Sequence, residues 1–211
     1  MTREIFNDVI RSEEELRALF SAPSELVNNK LIQYLDKHCR DFISKAPLIF
    51  IATSDSSGHC DVSPRGDEAG FVLVLDDKHL VIPERPGNRR FDSLRNIVEN
   101  PQIGLIFIIP GLEETLRING HACIIKDKEI MTMMDTQGKT PVIGIAVEVE
   151  ECFIHCAKAF KRSHLWNEQY WPLKESLPRA ALIISEHANK LGKSEEEVAS
   201  SLQESYEKRL Y

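Results

Sequence analysis

The sequence lacks any apolar run that approaches the roughly 20 residues with which a helix crosses a bilayer. Its N-terminal stretch also lacks the apolar core of a secretory signal peptide. The five cysteines are an odd number without C-x-x-C spacing, so a disulfide framework is not expected. Because thiols stay reduced in the cytosol, these absences together predict a cytoplasmic protein with no membrane partner.

The chain has little of the positive charge that nucleic-acid-binding domains carry. Its formal net charge is -7 and its pI is about 5.6, so we expect no nucleic-acid partner. A G-x-G-x-x-G turn for a dinucleotide pyrophosphate is missing, and so are a catalytic triad and a carboxylate pair. Cys152, His155 and Cys156 are close in sequence, but three ligands without a second cluster are a weak zinc signal, so we expect no metal.

The hydrophobic pattern predicts a mainly β protein with helices at both ends. Capping-box patterns begin at Ser12 and Ser194, and a longer helix is expected from Ser24 toward Lys45. About seven strands, mostly in antiparallel hairpins, are predicted at residues 48–53, 59–64, 71–75, 80–82, 103–109, 114–125 and 142–154. Strands at this density favour a closed or partly closed barrel, which hides the sheet edges.

The chain shows no repeat, low-complexity tract or linker. We therefore predict one domain over residues 1–211, with a helical N-terminal extension at about residues 12–45 and a helical C-terminal extension at about residues 167–211. Residues 65–67 read as a loop after the second strand, which Pro64 interrupts.

Residues 82–101 are the most informative stretch of the sequence. A strand end is followed by the turn formers of residues 85–88 and then by a short amphipathic helix. Arg89 and Arg90 stand where the turn becomes the helix. The free N–H groups of a helix start and two guanidinium groups suit a phosphate. The pattern thus predicts a phosphate clamp, with two solvated charges on a surface helix as the alternative.

Several stretches of the sequence together resemble one family, the pyridoxamine 5'-phosphate oxidase-related flavoproteins, and within it the branch of FMN-dependent enzymes. The matching stretches lie at residues 61–67, 82–90, 92–96, 100–101, 114–120 and 155–158. The resemblance implies a split β-barrel with flanking helices. It also implies a homodimer that binds FMN in clefts between its two subunits.

The resemblance assigns cofactor contacts to the clamp stretch. Asn88, Arg89 and Arg90 occupy the place of the Ser-Arg-Lys run that grips the FMN phosphate in the oxidase. Pro83 and Glu84 lie where the preceding strand end passes the flavin. These residues are therefore expected to hold the phosphate and to line the ring.

Two further strands contribute candidates by the same resemblance. Ser63 and Arg65 lie on a neighbouring strand whose basic residue reaches the flavin or its phosphate. Thr115 matches a glutamine that the other subunit contributes, and Arg117 lies in the same matching stretch. A solvated surface charge is the alternative for both arginines, because long basic side chains are mostly exposed, and Thr115 is equally an ordinary strand threonine.

The tail completes the list of candidates. Lys158, Arg162 and Trp166 stand for the C-terminal Trp and Arg of the oxidase, although Trp166 could instead only pack a helix against the barrel. The oxidase motif that holds a pyridoxal-type substrate is not recognisable here, so vitamin B6 oxidation is not expected. An FMN-dependent oxidoreductase acting on an unidentified small molecule is the first hypothesis. A non-catalytic carrier or sensor that binds flavin or haem is the second, with His155 as the nearest candidate for an axial ligand of haem.

Overall fold

The computed structural model describes residues 5–211, and its centre is one antiparallel sheet of seven strands. The strands are β1 (Leu48–Ser54), β2 (Cys60–Gly66), β3 (Leu73–Val74), β4 (His79–Pro83), β5 (Gln102–Ile108), β6 (Thr115–Ile125) and β7 (Gly144–His155). Their order in the sheet is β2-β1-β5-β6-β7-β4-β3. The predicted mainly β architecture is therefore confirmed.

All seven strands lie within two residues of their predicted bounds, and each differs from them at one end or both. β2 continues through Pro64 to Gly66, so the prediction that Arg65 and Gly66 lie in a loop is wrong. The strand tolerates Pro64 because β2 lies at the edge of the sheet, where a missing N–H breaks no ladder hydrogen bond. The third strand is only Leu73–Val74, shorter than the apolar run of residues 71–75 predicts.

Eight α-helices flank or cover the sheet in the described chain. They are α1 (Glu13–Leu19), α2 (Glu25–Asn29), α3 (Lys37–Lys45), α4 (Asp92–Glu99), α5 (Lys128–Met133), α6 (Lys158–Ser163), α7 (Ala180–His187) and α8 (Glu195–Lys208). Ser12 and Ser194 cap α1 and α8 as predicted, and Ser194 forms the full capping box with Glu197. None of the helices in residues 5–211 combines the length and the apolar character needed to span a membrane.

The single helix predicted from Ser24 toward Lys45 is wrong, because the chain leaves the helical conformation between α2 and α3. Ile32 forms an antiparallel bridge with Cys152 of β7, through N–O distances of 3.0 and 2.7 Å between their backbones. Asp36 then starts a new helix by accepting a hydrogen bond from the Cys39 N–H at 2.8 Å. A tertiary backbone pairing thus replaces the helix that local periodicity favours.

The core fills the concave side of the curled sheet. Alternate side chains of β1, β5 and β6 point inward, and α3 adds Phe42 and Ile43 to the same buried cluster. α4 contributes Leu94 and Ile97 to this cluster, and the helix packs against β1, β2 and β6. Hydrophobic burial of this one cluster holds helices and sheet together.

The sheet curls until β2, at one end of the strand order, lies near β4, which is next to last at the other end. In the described chain, no backbone ladder joins these two strands, and we call the gap between them the split. Side chains bridge it instead: Arg65 pairs with Glu84, and Asp67 pairs with Arg85. This arrangement is the split β-barrel with flanking helices that the sequence resemblance implies.

A β-bulge in β7 shapes the far wall of the barrel. The register between β6 and β7 shifts between Asn119 and Gly120, which leaves Glu150 without a cross-strand partner in that ladder. Gly120 faces the bulge so closely that an added Cβ would lie 2.0 Å from the Glu148 carbonyl oxygen. Only glycine fits this close approach of two backbones.

Candidate functional site

The clamp loop, defined as residues 84–91, joins β4 to α4. Pro83 is buried at the end of β4, where it pairs with Gly144, and the next N–H, of Glu84, donates to the Ile143 carbonyl at 3.1 Å. From residue 86 to residue 91 every side chain is exposed. The loop is therefore anchored at its start by the sheet and presents its remaining residues to solvent.

The three predicted phosphate ligands lie on the exposed part of this loop. The Asn88 side chain accepts a hydrogen bond from the Arg90 N–H at 3.0 Å. Arg90 donates to Asp92 at 2.8 Å, although its side chain stays 73% exposed. Arg89 makes no hydrogen bond or ion pair with residues 5–211. Of these two arginines, Arg89 is therefore the one whose full charge is available to a ligand.

The helix start differs in detail from the sequence interpretation. α4 begins at Asp92, after both arginines, with Phe91 as its N-cap residue in the left-handed conformation (φ 60°). No side chain caps the first turn, so its N–H groups lack the partner that Ser or Asp supplies elsewhere in the chain. Arg89 also has a positive φ of 59°. Two non-glycine residues in this conformation make the loop strained.

The strand candidates gather across the split from this loop. Arg65 donates to the Glu84 carboxylate at 3.2 Å and to the Ser63 hydroxyl, and the Arg65 and Glu84 side chains are 18% and 17% exposed. The structure thus brings three predicted residues together. Glu84 offsets the charge of Arg65, which leaves Arg65 less available to an anion than Arg89.

A second ion pair across the split was not predicted from the sequence. Arg85 donates to the Asp67 carboxylate at 2.7 Å, and the two side chains are 13% and 1% exposed. The same guanidinium group donates to the Met134 carbonyl at 2.9 Å and to the Thr136 hydroxyl at 2.8 Å. Both ion-pair members lie in stretches that carry the family resemblance, but a separation of 18 residues gives no local spacing that could reveal their contact.

Asp67 stays ionised in this position despite its burial. Burial alone would raise the pKa of the carboxyl group. Hydrogen bonds from the Tyr211 hydroxyl at 2.6 Å, the Glu68 N–H and Arg85 outweigh it and hold the pKa of Asp67 below its usual value. The residue is therefore a fixed anion at neutral pH, not a proton donor.

Thr115 and Arg117 lie on β6, away from the clamp loop. Thr115 is buried and pairs with His155 at the end of β7. The Arg117 guanidinium lies 5.1 Å from the centre of the Phe153 ring, in a cation–π contact on the outer face of the sheet. The Arg117 side chain is therefore partly occupied by its contact with Phe153 of β7.

The tail candidates surround α6, which follows β7. Lys158 and Arg162 are exposed on this helix. The Trp166 indole N–H donates to the Leu112 carbonyl at 2.9 Å and its ring stacks on Phe160. Trp166 thus packs α6 against the turn between β5 and β6, which is the packing role given above as its alternative.

The candidates therefore form two groups within one chain. Glu84 is hydrogen-bonded beside the start of β7, whereas Thr115 pairs with the last residue of β7 and α6 follows that end. β7 has 12 residues, and an extended strand of that length spans roughly 40 Å. The clamp loop and the group of Thr115, Lys158 and Trp166 consequently lie at opposite ends of one strand.

Two grooves lie near these residues without including any of them. A groove of about 410 Å³ behind the clamp loop is almost entirely apolar and is lined by Phe91, Leu94, Arg95, Val98, Glu99, Ile124 and Ile143. A groove of about 670 Å³ on the outer face of the sheet includes Ala52, Gly104, Asn119 and Glu151. In a single chain the candidate site is therefore an open surface beside an apolar groove.

The residues considered for a metal do not come together. Cys152 is buried, with its Sγ 3.3 Å from that of Cys39, whereas His155 and Cys156 are exposed. The hydrogen bond between the thiols lowers the pKa of Cys39 and, together with burial, raises the pKa of Cys152. In residues 5–211, no group of three or more His, Cys, Asp or Glu side chains is arranged to hold a metal ion.

The pKa of His155 is lower than the usual value for histidine. Although the residue as a whole is exposed, partial desolvation of the ring first, and then the positive charges of Arg117 and Lys30, lower the pKa of its imidazole. The ring is therefore neutral at neutral pH.

Solved structures with similar chains come from several bacteria. HupZ of Group A Streptococcus is 20% identical, with 56% of this chain and 92% of that chain covered and a TM-score of 0.46. A Clostridium acetobutylicum protein related to general stress protein 26 of B. subtilis (pyridoxinephosphate oxidase family) is 14% identical over 56% and 85%, with a TM-score of 0.41. HutZ, the heme storage protein from Vibrio cholerae, is 15% identical over 57% and 93%, with a TM-score of 0.40. No curated protein matches the sequence.

The sequence model of one family covers most of the barrel. The model described as pyridoxamine 5'-phosphate oxidase matches residues 35–156, which is more than half of the chain and runs from α3 to the end of β7. This range contains the clamp loop and both ion pairs across the split. The chain belongs to the pyridoxamine 5'-phosphate oxidase family.

Proposed function

We propose that this protein binds FMN at the clamp loop and acts as an FMN-dependent oxidoreductase on a small molecule. The observation that carries the proposal is the exposed Arg89, which has no partner in the described chain and stands before a helix start that no side chain caps. A guanidinium group and free N–H groups together suit a terminal phosphate. Family membership supplies the reason to choose FMN among phosphate ligands.

The residues present fit this cofactor. Arg89 and Arg90 would bind the phosphate, with Asn88 holding the loop through the Arg90 N–H. The apolar groove behind Phe91 and Leu94 would exclude water from one side of the bound group. FMN itself supplies hydride acceptance when bound. The chain then needs no nucleophile or carboxylate pair, in agreement with the absence of both patterns from the sequence.

The separation of the two residue groups supports a homodimer with FMN at its interface. One flavin cannot reach both ends of β7 in a single chain, so Thr115, Lys158 and Trp166 would serve the cofactor held by the other subunit's clamp loop. A carrier gains by covering the flavin ring, whereas a cleft shared by two subunits leaves one ring face open to a second ligand. We also propose a cytoplasmic setting, because all five cysteines are free thiols.

The outer face of the sheet offers a surface for this dimer. Phe50, Ile106, Arg117 and Phe153 lie in one row across β1, β5, β6 and β7. Ile106 is 38% exposed, and Val62 in the neighbouring row on β2 is 66% exposed. Apolar side chains grouped on a sheet face mark an interaction surface.

Replacing Ile106 with glutamate is expected to shift the dimer toward monomer, because it buries a charge in an apolar interface. Light scattering measures the mass, and FMN titration measures the accompanying loss of affinity. Leu191→Glu is the control, because this exposed leucine lies between α7 and α8, away from the sheet face. A monomeric mass for the unchanged protein with FMN bound would contradict the dimer, and an unchanged dimer in the Ile106 variant would contradict this interface.

The proposed function is tested first by the cofactor. Mass spectrometry of the released ligand is expected to give FMN, and the purified protein to show a flavin spectrum. An intense Soret band in place of it would favour haem, for which the neutral His155 is the nearest ligand. Recovery of FAD alone, or no binding after incubation with FMN, would contradict the proposal.

Turnover is tested next under anaerobic conditions. NADPH and NADH are mixed with the flavin-loaded protein, and quinones, nitro compounds and pyridoxine 5'-phosphate are then offered as acceptors. We expect a reduced nicotinamide to bleach the flavin. If no donor does so, and photoreduced protein is reoxidised no faster than free FMN, the protein is a carrier.

A further inference from the structure

The half-buried Arg85 joins three separate segments of the chain. It lies in the clamp loop, its ion-pair partner Asp67 follows β2, and the Met134 carbonyl and the Thr136 hydroxyl belong to the connection between α5 and β7. A longer contact reaches the Lys139 carbonyl at 3.4 Å. Arginine can make these contacts at once because its guanidinium group presents several donors in a rigid fork.

Asp67, on the other side of the split, is fixed by both its backbone and its side chain. Its backbone N–H donates to the Pro47 carbonyl at 3.1 Å, which ties it to the start of β1. Its carboxylate accepts from Arg85 at 2.7 Å and from the Tyr211 hydroxyl at 2.6 Å. The Tyr211 ring also lies 5.9 Å from the Arg85 guanidinium carbon. Asp67 is thus a fixed point to which the clamp loop is attached.

The loop that this pair holds is conformationally strained. Arg89 and Phe91 both have positive φ angles, of 59° and 60°. Such a conformation is unfavourable for a residue with a side chain, and it persists only where surrounding contacts determine it. The Arg89 side chain makes no hydrogen bond or ion pair in the described chain, and the exposed Phe91 ring only lines the apolar groove beside Leu94. The contacts of Arg85, four residues before Arg89, hold the start of the loop, and the Ser93 hydroxyl, which donates to the Asp61 carboxylate at 2.6 Å, holds the start of the helix that follows it.

We propose that Asp67 and Arg85 are positioning residues that hold the clamp loop in its phosphate-binding conformation across the split. The proposal rests on the FMN-binding function proposed above and adds residues that do not themselves touch the cofactor. Fixing the loop before the ligand arrives removes the entropy cost of ordering it on binding. The pair should therefore affect FMN affinity through Arg89 and Arg90 and not independently of them.

A double-mutant cycle tests this dependence. Arg85→Met is made alone and in the background of Arg89→Ala with Arg90→Ala, and the FMN dissociation constant is measured by fluorescence quenching. In the otherwise unchanged chain, Arg85→Met should weaken FMN binding about tenfold or more. In the clamp-deficient background it should weaken binding less than about twofold, because residues that act through one another are not additive.

Two further variants separate positioning from a loss of stability. Removing one partner of a buried ion pair destabilises a fold, so Arg85→Met could fail to fold. Tyr211→Phe deletes only the hydroxyl that donates to Asp67 and should give a smaller effect with the same dependence on the clamp arginines. Arg40→Met is the matched control: Arg40 is also half-buried and donates to the Leu35 carbonyl at 3.1 Å, far along the chain from the split. It should leave FMN affinity unchanged.

The outcomes are distinct. Equal fold-losses from Arg85→Met in both backgrounds would overturn the positioning role, and so would unchanged FMN affinity in both Arg85→Met and Tyr211→Phe. If the unchanged protein binds no FMN, the proposed function itself fails, and the positioning role with it. If the unchanged protein binds FMN and the clamp variant binds equally well, the clamp assignment and the positioning role both fail while FMN binding stands.

Discussion

Replacing Arg89 and Arg90 together with alanine is expected to weaken FMN binding by about two orders of magnitude or more. Each charge-assisted hydrogen bond to the phosphate contributes roughly 1.5–3 kcal/mol. The fold should survive, because both side chains are exposed and substitutions at exposed positions usually cost little. Titration of the cofactor-free variant with FMN gives the dissociation constant, and thermal unfolding checks the fold.

The two arginines should not contribute equally. Arg90 already pairs with Asp92, so its charge is partly offset before any ligand arrives. Arg89 makes no ion pair in the part of the chain that the structure describes, so Arg89→Ala alone should cost more affinity than Arg90→Ala alone. Arg179→Ala is a suitable control, because this exposed arginine pairs with Glu195 in the α7–α8 region. Unchanged affinity in the double variant would mean that both arginines are solvated surface charges.

Replacing Gly120 with alanine is expected to destabilise the protein by about 4 kcal/mol or more, which puts it among the most damaging single substitutions. The new Cβ would lie 2.0 Å from the Glu148 carbonyl oxygen, and a backbone atom within a strand cannot move aside without disrupting the pairing of β6 and β7. For a chain of this length, that loss corresponds to a fall of roughly 8–16 °C in the melting temperature. Circular dichroism during heating measures it.

Gly104→Ala provides the matched control in the same sheet. Its added Cβ would meet only side chains, at 3.4 Å from the Asn119 amide oxygen and 3.8 Å from the Ala52 Cβ. We expect its melting temperature to change by no more than about 4 °C. Equal stability of the two variants would contradict the role given to the bulge.

Much of the fold was predictable because it depends on neighbours in sequence. Apolar runs predict β1 and β5, the second rich in β-branched residues, and the alternation of apolar and polar residues predicts β6, since successive side chains of a strand face opposite sides of the sheet. Ser12 and Ser194 predict the starts of α1 and α8, since a capping hydroxyl acts within one helical turn. The order of these elements along the chain and the turn-to-helix pattern of the clamp stretch also follow from the sequence.

The errors arise where distant residues override these local preferences. The helix expected from Ser24 toward Lys45 is interrupted because Ile32 pairs with Cys152, a residue of β7. The loop expected at Arg65 is a strand because β1 supplies its hydrogen-bond partners. In both cases backbone hydrogen bonds to another segment replace the conformation that the local sequence favours.

The sequence alone determined the strands, the helix caps, the family resemblance and the clamp arginines, because each is a local pattern of residue types. Which charges remain available to a ligand follows from the three-dimensional arrangement: Glu84 offsets Arg65, Asp92 offsets Arg90, and Arg89 has no partner in the described chain. Only the structure also joined Asp67 to Arg85. The physical reason is that Coulomb and hydrogen-bond contacts depend on distance in space, which the curl of the sheet sets and sequence separation does not.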